Sequence, residues 1–178
     1  MFCSRVLTIC LLLSFICPIV IGSHTRKVTL NKLKGNPEEP VFTKIGNKQY
    51  HFGQVKVSWF KAYLICRSMG GYLASFDNRQ EFQELSDHLE DYYPTDRWWW
   101  ISGSDLHSEG NFYWYRTGKP VKYAEWSLGQ PDNAGGNEDC MHLWYSMYKY
   151  RMNDWNCNMD AFYICEADSP KTVIVSSF

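Results

Sequence analysis

The chain has 178 residues and a formal net charge of −1, so its length suits a single domain preceded by a short leader. The near-neutral charge, with no basic stripe and no basic–aromatic motif, gives no support to a nucleic-acid partner. Aromatic residues make up 17% of the chain, which favours a sizeable hydrophobic core.

Residues 1–22 have the pattern of a secretory signal peptide. Arg5 gives a short basic start, an apolar run extends from Leu7 to Ile21, and Gly22 is a small residue suited to cleavage. We therefore predict secretion without a transmembrane segment. An uncleaved membrane anchor is the alternative, but the apolar run is short for a bilayer span.

The cysteines agree with an oxidising compartment. Three lie in the leader, and four follow it: Cys66, Cys140, Cys157 and Cys165. An even number in a secreted chain predicts two disulfides, although sequence spacing does not choose among the possible pairings. A zinc site that includes His142 is the alternative, but no C-x-x-C spacing is present.

The chain divides into four segments: the leader, a polar segment over residues 23–40, a domain over residues 41–167 and a tail over residues 168–178. β-Prone runs occur in both flanks, at Val28–Leu30 and at Thr172–Val175. The tail run has the composition either to pair with a sheet or to fray.

Two helices are predicted early in the domain. Ser58 is suited to cap the first, and Gly70 with Gly71 ends it. Asp77 is predicted to cap the second, whose apolar residues recur at helical spacing: Phe82, Leu85 and Leu89.

Short strands are predicted after the helices, at Trp98–Ser102, Asn111–Tyr115, Cys140–Tyr145 and Phe162–Glu166. Helices followed by strands indicate an α+β domain with an antiparallel sheet. Strand alternation predicts that Trp98 and Trp100 are buried and that Trp99 faces outward. The long irregular stretch between the second and third strands is typical of a functional loop.

Two clusters of oxygen-bearing side chains stand beside cysteines. The first lies in QPDNAGGNEDC, residues 130–140, and the second in MNDWNC, residues 152–157. Mixed amide and carboxylate oxygens suit Ca²⁺ better than Zn²⁺ or Mg²⁺, although a run of this composition is also typical of a surface turn. A cis bond before Pro131 would turn its neighbours toward one point, and Gly135 with Gly136 would let the chain return to the same ion.

These ordered motifs resemble a C-type lectin domain, most closely the secreted single-domain lectins of arthropods. WISGSD (100–105) is similar to the family's WIGL strand, QPD (130–132) to its galactose-type tripeptide, and NEDC (137–140) with NDWNC (153–157) to the rest of its calcium loop. The resemblance implies a C-type lectin fold with disulfides Cys66–Cys165 and Cys140–Cys157.

The resemblance also implies the site residues. The principal Ca²⁺ would be held by Gln130, Asp132, Glu138, Asn153 and Asp154. The first four of these would also contact the sugar, and the order Gln-Pro-Asp implies galactose-type sugars. A possible second calcium site is implied at Asp105, Glu109, Asn133 and Asp139, where Asn133 supplies less charge than the Asp that is frequent in the family.

Three positions depart from the family pattern. Met152 stands where Trp is usual and is expected to serve packing. Ala134 stands where galactose-binding members often carry a stacking aromatic residue, for which Tyr145, Tyr148 or Tyr150 would be substitutes. The third departure is the surplus tryptophan in the Trp98–Trp100 run.

The sequence therefore predicts a secreted Ca²⁺-dependent lectin for galactose-type glycans on cell or microbial surfaces, with a role in innate immune recognition or agglutination of foreign cells. Oligomers are expected, because a single sugar site binds weakly. A C-type lectin-like module that binds a protein or lipid is the alternative. No nucleophile or acid–base signature indicates an enzyme, which argues against a metal-dependent hydrolase.

Overall fold

A computed structural model describes residues 41–168. The predicted signal peptide, the polar segment 23–40, the run Val28–Leu30 and the tail beyond Asp168, with its run Thr172–Val175, lie outside the described residues. Within the described part no helix is long and apolar enough to cross a membrane.

Two α-helices and nine β-strands make up the domain, in the order β1 Thr43–Ile45, β2 Lys48–Val57, α1 Trp59–Ser68, β3 Gly71–Leu73, α2 Arg79–Tyr92, β4 Trp99–Ser104, β5 Tyr113–Trp114, β6 Lys119–Pro120, β7 Cys140–Ser146, β8 Lys149–Trp155 and β9 Ala161–Ala167 within residues 41–168. The predicted α+β class and both helices are confirmed. Strands β1, β2, β3, β6 and β8 were not predicted.

The sheet is mixed rather than antiparallel. Its strands follow the order β1-β2-β9-β4-β5-β6, with β3 on β9 and β7 between β4 and β8. Strands β4 and β9 run parallel, with Trp99 opposite Phe162, while the other pairs are antiparallel. A parallel pair needs a long connection between its strands, and the loop region with the β7–β8 hairpin provides it.

Helix α1 begins as predicted at Ser58, whose side chain accepts the Lys61 N–H. Helix α2 begins one residue later than predicted, because Asn78 rather than Asp77 is its cap. Asn78 has extended backbone angles and accepts the Glu81 N–H at 3.1 Å. The Asp77 N–H instead donates to the Glu81 carboxylate at 2.9 Å.

The prediction for the three tryptophans was wrong for Trp98 and Trp99. Trp99 and Trp100 are both fully buried, whereas Trp98 is 36% exposed. Alternation assumes that one face of a strand meets solvent, but Trp99 and Trp100 belong to two different hydrophobic clusters and every residue of β4 is buried. A strand covered on both faces buries consecutive side chains.

Two disulfides connect the domain, and both predicted pairings are confirmed. Cys66–Cys165 joins α1 to β9, and Cys140–Cys157 joins the start of β7 to the residues after β8. The chain separations are 99 and 17 residues, for which loop-closure entropy gives about 4.7 and 3 kcal/mol of stabilisation. Met152 is buried in the core as expected.

A buried carboxylate joins β9 to three other parts of the domain. Glu166 is 1% exposed and accepts from the Ser75 N–H at 3.1 Å and the Ser75 hydroxyl at 3.2 Å. It also pairs with Arg116 and with Lys48. Removing it would leave two cations without their buried partner.

We expect Glu166→Ala to lower the free energy of unfolding by about 3–5 kcal/mol, because breaking a buried ion pair leaves uncompensated charge. Denaturant unfolding measures the loss. Asp168→Ala is the matched control, since Asp168 is 43% exposed and lies 3.5 Å from the same Arg116, and a surface pair contributes at most about 1 kcal/mol. Equal losses in the two variants would contradict the assignment.

Candidate metal centre

The β7–β8 hairpin brings the two predicted oxygen clusters together. In the hairpin Met141 lies opposite Asp154, and His142 lies opposite Asn153. The disulfide between Cys140 and Cys157 closes the same end of the hairpin. The loop that contains Gln130, Asp132 and Glu138 leads directly into β7 at this end. Residues separated by more than twenty positions therefore meet at one place.

The loop is attached to β8 by the Asp154 carboxylate. Its Oδ1 accepts the Asp132 N–H at 3.2 Å, and its Oδ2 accepts the Asn133 N–H at 2.8 Å. The Gln130–Pro131 bond is cis, as expected. These contacts leave the Asp132 side chain exposed, beside the buried Asp154.

The rest of the loop turns back toward the same point. Gly135 and Gly136 have φ values of 74° and 71°, which suit glycine and reverse the chain as predicted. Glu138 then accepts the Ala134 N–H at 3.0 Å and donates its own N–H to the Asn133 side chain at 3.0 Å.

Three carboxylates converge as a result. Asp132, Glu138 and Asp154 each offer an oxygen within 4.8 Å of the others. Burial raises the pKa of Glu138, and the charges of Asp154 and Asp132 raise it further, against the lowering effect of the Ala134 hydrogen bond. Like charges this close repel each other, so the cluster is suited to a cation.

Two amide oxygens complete the fit. Gln130 Oε1 and Asn153 Oδ1 are buried and have no hydrogen-bond partner among the described residues. A buried acceptor without a partner is costly. A hard cation, which takes six to eight oxygens when it is Ca²⁺, would satisfy both, so the residues present fit the ion that was predicted.

His142 orients the Asn153 amide, a role that the sequence analysis missed. The ring is fully buried, and burial lowers the pKa of His142 to about 3, so it is neutral. Its Nε2 lies 3.0 Å from Asn153 Nδ2 and its Nδ1 lies 3.4 Å from the Leu143 carbonyl. A neutral ring that donates from Nδ1 accepts at Nε2. The Asn153 nitrogen therefore faces the ring, and Asn153 Oδ1 is left without a hydrogen-bond partner among the described residues.

The structure brings only some residues of the possible second calcium site close together. The Asp105 N–H donates to the Asp139 carbonyl at 3.1 Å, and the buried Asp105 Oδ1 has no partner among the described residues. Burial raises the pKa of Asp105, and Glu109 and Asp139 contribute to the increase. However, the side-chain oxygen Oδ1 of Asn133 already accepts the Glu138 N–H. In the described part of the chain, Asp105, Glu109 and Asp139 do not form a carboxylate group as compact as the first.

The tyrosines proposed as a sugar platform occupy different environments. Tyr150 is fully buried and Tyr145 packs partly buried against the same core. Tyr148 is 92% exposed but lies at the turn of the hairpin, away from its disulfide end. Ala134 is exposed beside the carboxylates. No tyrosine of the three therefore replaces an aromatic residue at Ala134.

A carboxylate-rich loop on a disulfide-closed α+β domain defines the class of the protein. The family model "Lectin C-type domain" matches residues 55–167. The chain is 37% identical over 122 residues to C-type lectin 37Db of Drosophila melanogaster, with 68% of this chain and 79% of the relative covered. It is 36% identical over 162 residues to C-type lectin 37Da of the same species, with 84% and 86% covered.

Solved structures agree. The mouse scavenger receptor C-type lectin carbohydrate-recognition domain superposes with a TM-score of 0.64 at 29% identity and covers 76% of this chain and 100% of that one. The chain belongs to the C-type lectin domain family. Domains of this family and fold are carbohydrate-binding modules and not enzymes, in agreement with the prediction.

We expect His142→Phe to weaken calcium binding about tenfold, the lower end of the effect of removing a residue that orients a metal ligand. The aromatic ring preserves packing against Trp98 and Trp155, but it cannot accept the Asn153 amide. Calorimetric titration with calcium measures the change.

The control for His142→Phe is Tyr148→Ala, which alters an exposed side chain at the opposite end of the hairpin. It should leave calcium affinity unchanged. Full calcium affinity in His142→Phe would show that the imidazole does not orient Asn153.

Proposed function

We propose that the protein is a secreted, Ca²⁺-dependent lectin that binds galactose-type sugars. The observation that carries the proposal is the convergence of Asp132, Glu138 and Asp154 within 4.8 Å. The two unpaired amide oxygens of Gln130 and Asn153 support it. Backbone N–H groups already bond to Glu138 and Asp154, and a divalent cation with oxygen ligands would offset the charge repulsion that remains.

The ion would be held by Gln130, Asp132, Glu138, Asn153 and Asp154. Calcium is favoured over zinc because every available donor is an oxygen, while the nearby His142 nitrogen already accepts the Asn153 amide. The bound ion would accept lone pairs from two neighbouring sugar hydroxyls. The possible site at Asp105, Glu109, Asn133 and Asp139 stays secondary in this proposal.

The chain's own side chains would provide the remaining sugar contacts. The amide N–H of Gln130 donates to a hydroxyl oxygen, and a carboxylate of Asp132 or Glu138 accepts the hydroxyl proton. Asn153 would take part through its unpaired Oδ1, because its Nδ2 already bonds to His142 and to the Asp154 carbonyl. Each hydroxyl then uses both its lone pairs and its proton. Galactose-type specificity is proposed from the order Gln-Pro-Asp, which places the donor before the acceptor.

Secretion is supported by the two disulfides, since such bonds persist in oxidising compartments, and by the leader pattern of residues 1–22. We further propose that the protein recognises or agglutinates foreign cells through glycans on their surfaces. A single shallow site binds sugar weakly, so several sites in a homo-oligomer would be needed for firm attachment.

Elution from a galactose matrix tests both the metal and the sugar. We expect EDTA and free galactose each to release the bound protein, and mannose to release little at the same concentration. The released protein is quantified by absorbance. Release by EDTA and mannose but not galactose would retain the calcium-dependent lectin and overturn the choice of sugar.

We expect Asp132→Ala to reduce sugar binding by about 100-fold or more, because it removes a proposed ion ligand and a hydroxyl acceptor together. The Asp132 N–H that bonds to Asp154 remains, so the domain should still fold with both disulfides. Binding to the galactose matrix and non-reducing mass analysis measure the two properties.

The matched control for Asp132→Ala is Asn137→Ala, an exposed position in the same loop, which should retain binding. Sugar binding by Asp132→Ala at the wild-type level would place the site elsewhere.

A further inference from the structure

A second concave site lies beside the candidate metal centre and is walled by two indole rings. It has a volume of about 280 Å³ and is lined by Lys56, Asp96, Trp98, Trp155, Asp160 and Ala161. We call it the indole pocket. Its volume is near the lower limit of small-molecule pockets, which suits a ligand the size of a sugar ring.

The indole pocket is built where several strands end. Trp98 precedes β4, Trp155 is the last residue of β8, and Ala161 is the first residue of β9, opposite Val57 of β2. The Trp98 and Trp155 rings meet edge to face, with centroids 4.7 Å apart at 75°. The two rings therefore form two adjoining sides of the pocket and are not stacked on each other.

Neighbouring rings fix the two indoles in place. Trp155 lies 5.4 Å from the fully buried Trp100, whose Nε1 donates to the Val57 carbonyl at 2.9 Å. Trp98 packs on His142 at 5.3 Å and on Trp144 at 5.9 Å. Despite this support Trp98 remains 36% exposed. A preorganised aromatic surface loses little conformational entropy when it binds a ligand.

The rim carries both hydrogen-bond acceptors and a donor. Asp96 and Asp160 supply carboxylates and Lys56 an ammonium group, and all three side chains are exposed. None of them forms an ion pair within residues 41–168. An aromatic floor with separate acceptors and a donor matches a ligand that presents C–H groups on one face and hydroxyls at its edge.

We propose that the indole pocket binds a neutral, all-equatorial β-linked pyranose without calcium. Such a ring exposes only axial C–H groups on each face, and these carry partial positive charge that the negative face of an indole attracts. Its equatorial hydroxyls point outward, where they donate to the aspartates and accept from Lys56.

An organic cation is disfavoured at the same pocket. Aromatic rings and acids together can recognise an ammonium group, but Lys56 places a positive charge at the rim and would repel it. A neutral polyhydroxylated ligand can form hydrogen bonds with all three charged groups. A cation would be attracted by the two aspartates and repelled by Lys56. The rim therefore favours the sugar.

The indole pocket and the candidate metal centre share strand β8 but use different side chains. Trp155 follows Asp154 directly, and His142 contacts both Trp98 and Asn153. None of the indole-pocket residues is among the proposed calcium ligands. Binding in the pocket therefore requires none of the proposed calcium ligands, and chelation of calcium separates the two sites experimentally.

The test is a titration of the folded protein with cellotriose in EDTA, followed by tryptophan fluorescence and by saturation-transfer NMR of the sugar protons. We expect saturable binding with a dissociation constant of about 1 mM, as for a single small site. Trp98→Ala should weaken it at least about tenfold by removing the stacking surface.

Asp160→Asn provides a second variant at an exposed position where folding is not at risk. It should weaken cellotriose binding about fivefold by replacing a charged acceptor with a neutral one. Tyr148→Ala is the matched control for loss of an exposed aromatic ring and should have no effect, and Asp132→Ala should also bind cellotriose normally in EDTA.

Three results would overturn the indole-pocket proposal: absence of saturable binding in EDTA, unchanged affinity in both Trp98→Ala and Asp160→Asn, or displacement of cellotriose by choline chloride. The last would assign the pocket to a cation. Loss of galactose binding by Asp132→Ala concerns only the metal centre, so the two proposals fail separately.

Discussion

The hydrogen bonds from two backbone N–H groups to the Asp154 carboxylate are the contact on which the candidate metal centre depends. They join β8 to Asp132 and Asn133, which precede it by 22 and 21 residues. Because both donors belong to the backbone, the path of the loop is fixed and the Asp132 side chain stays available. The same carboxylate lies close to Asp132 and Glu138, so the group that anchors the loop also concentrates negative charge. The Asp154 carboxylate therefore both anchors the loop and contributes to the negative charge that favours a bound cation.

The burial of both faces of β4 has a comparable influence on the aromatic residues beside the metal centre. Two hydrophobic clusters bury Trp99 and Trp100, whereas Trp98 precedes the strand and remains partly exposed. That ring lies instead against Trp155 and His142. His142 in turn contacts Asn153, and the aromatic cluster is thus continuous with the metal centre. A single buried imidazole links the packing of the indole pocket to the orientation of a proposed ion ligand.

Local patterns were sufficient where a segment's structure depends on its own residues. Helix α1 was predicted from a serine cap and a pair of glycines, and the carboxylate-rich loop from the types and order of its oxygen-bearing residues. Strand β8 was missed because Asn153 and Asp154, which are buried within it, have the composition of a turn. The cap of α2 was placed at Asp77 because adjacent Asp and Asn residues are both good caps, and only backbone angles distinguish them.

The sequence by itself determined the α+β class, the family resemblance, the two clusters of oxygen-bearing side chains and, through that resemblance, both disulfide pairs. These depend on residue type and order along the chain. Only the tertiary structure decided which oxygens are buried without partners, that His142 orients Asn153, and that Trp98 rather than Trp99 reaches the surface. Burial and hydrogen-bond partnership are properties of surroundings contributed by distant segments, here β7, β9 and the disulfide-closed hairpin. The order of residues along the chain does not show burial or hydrogen-bond partnership directly.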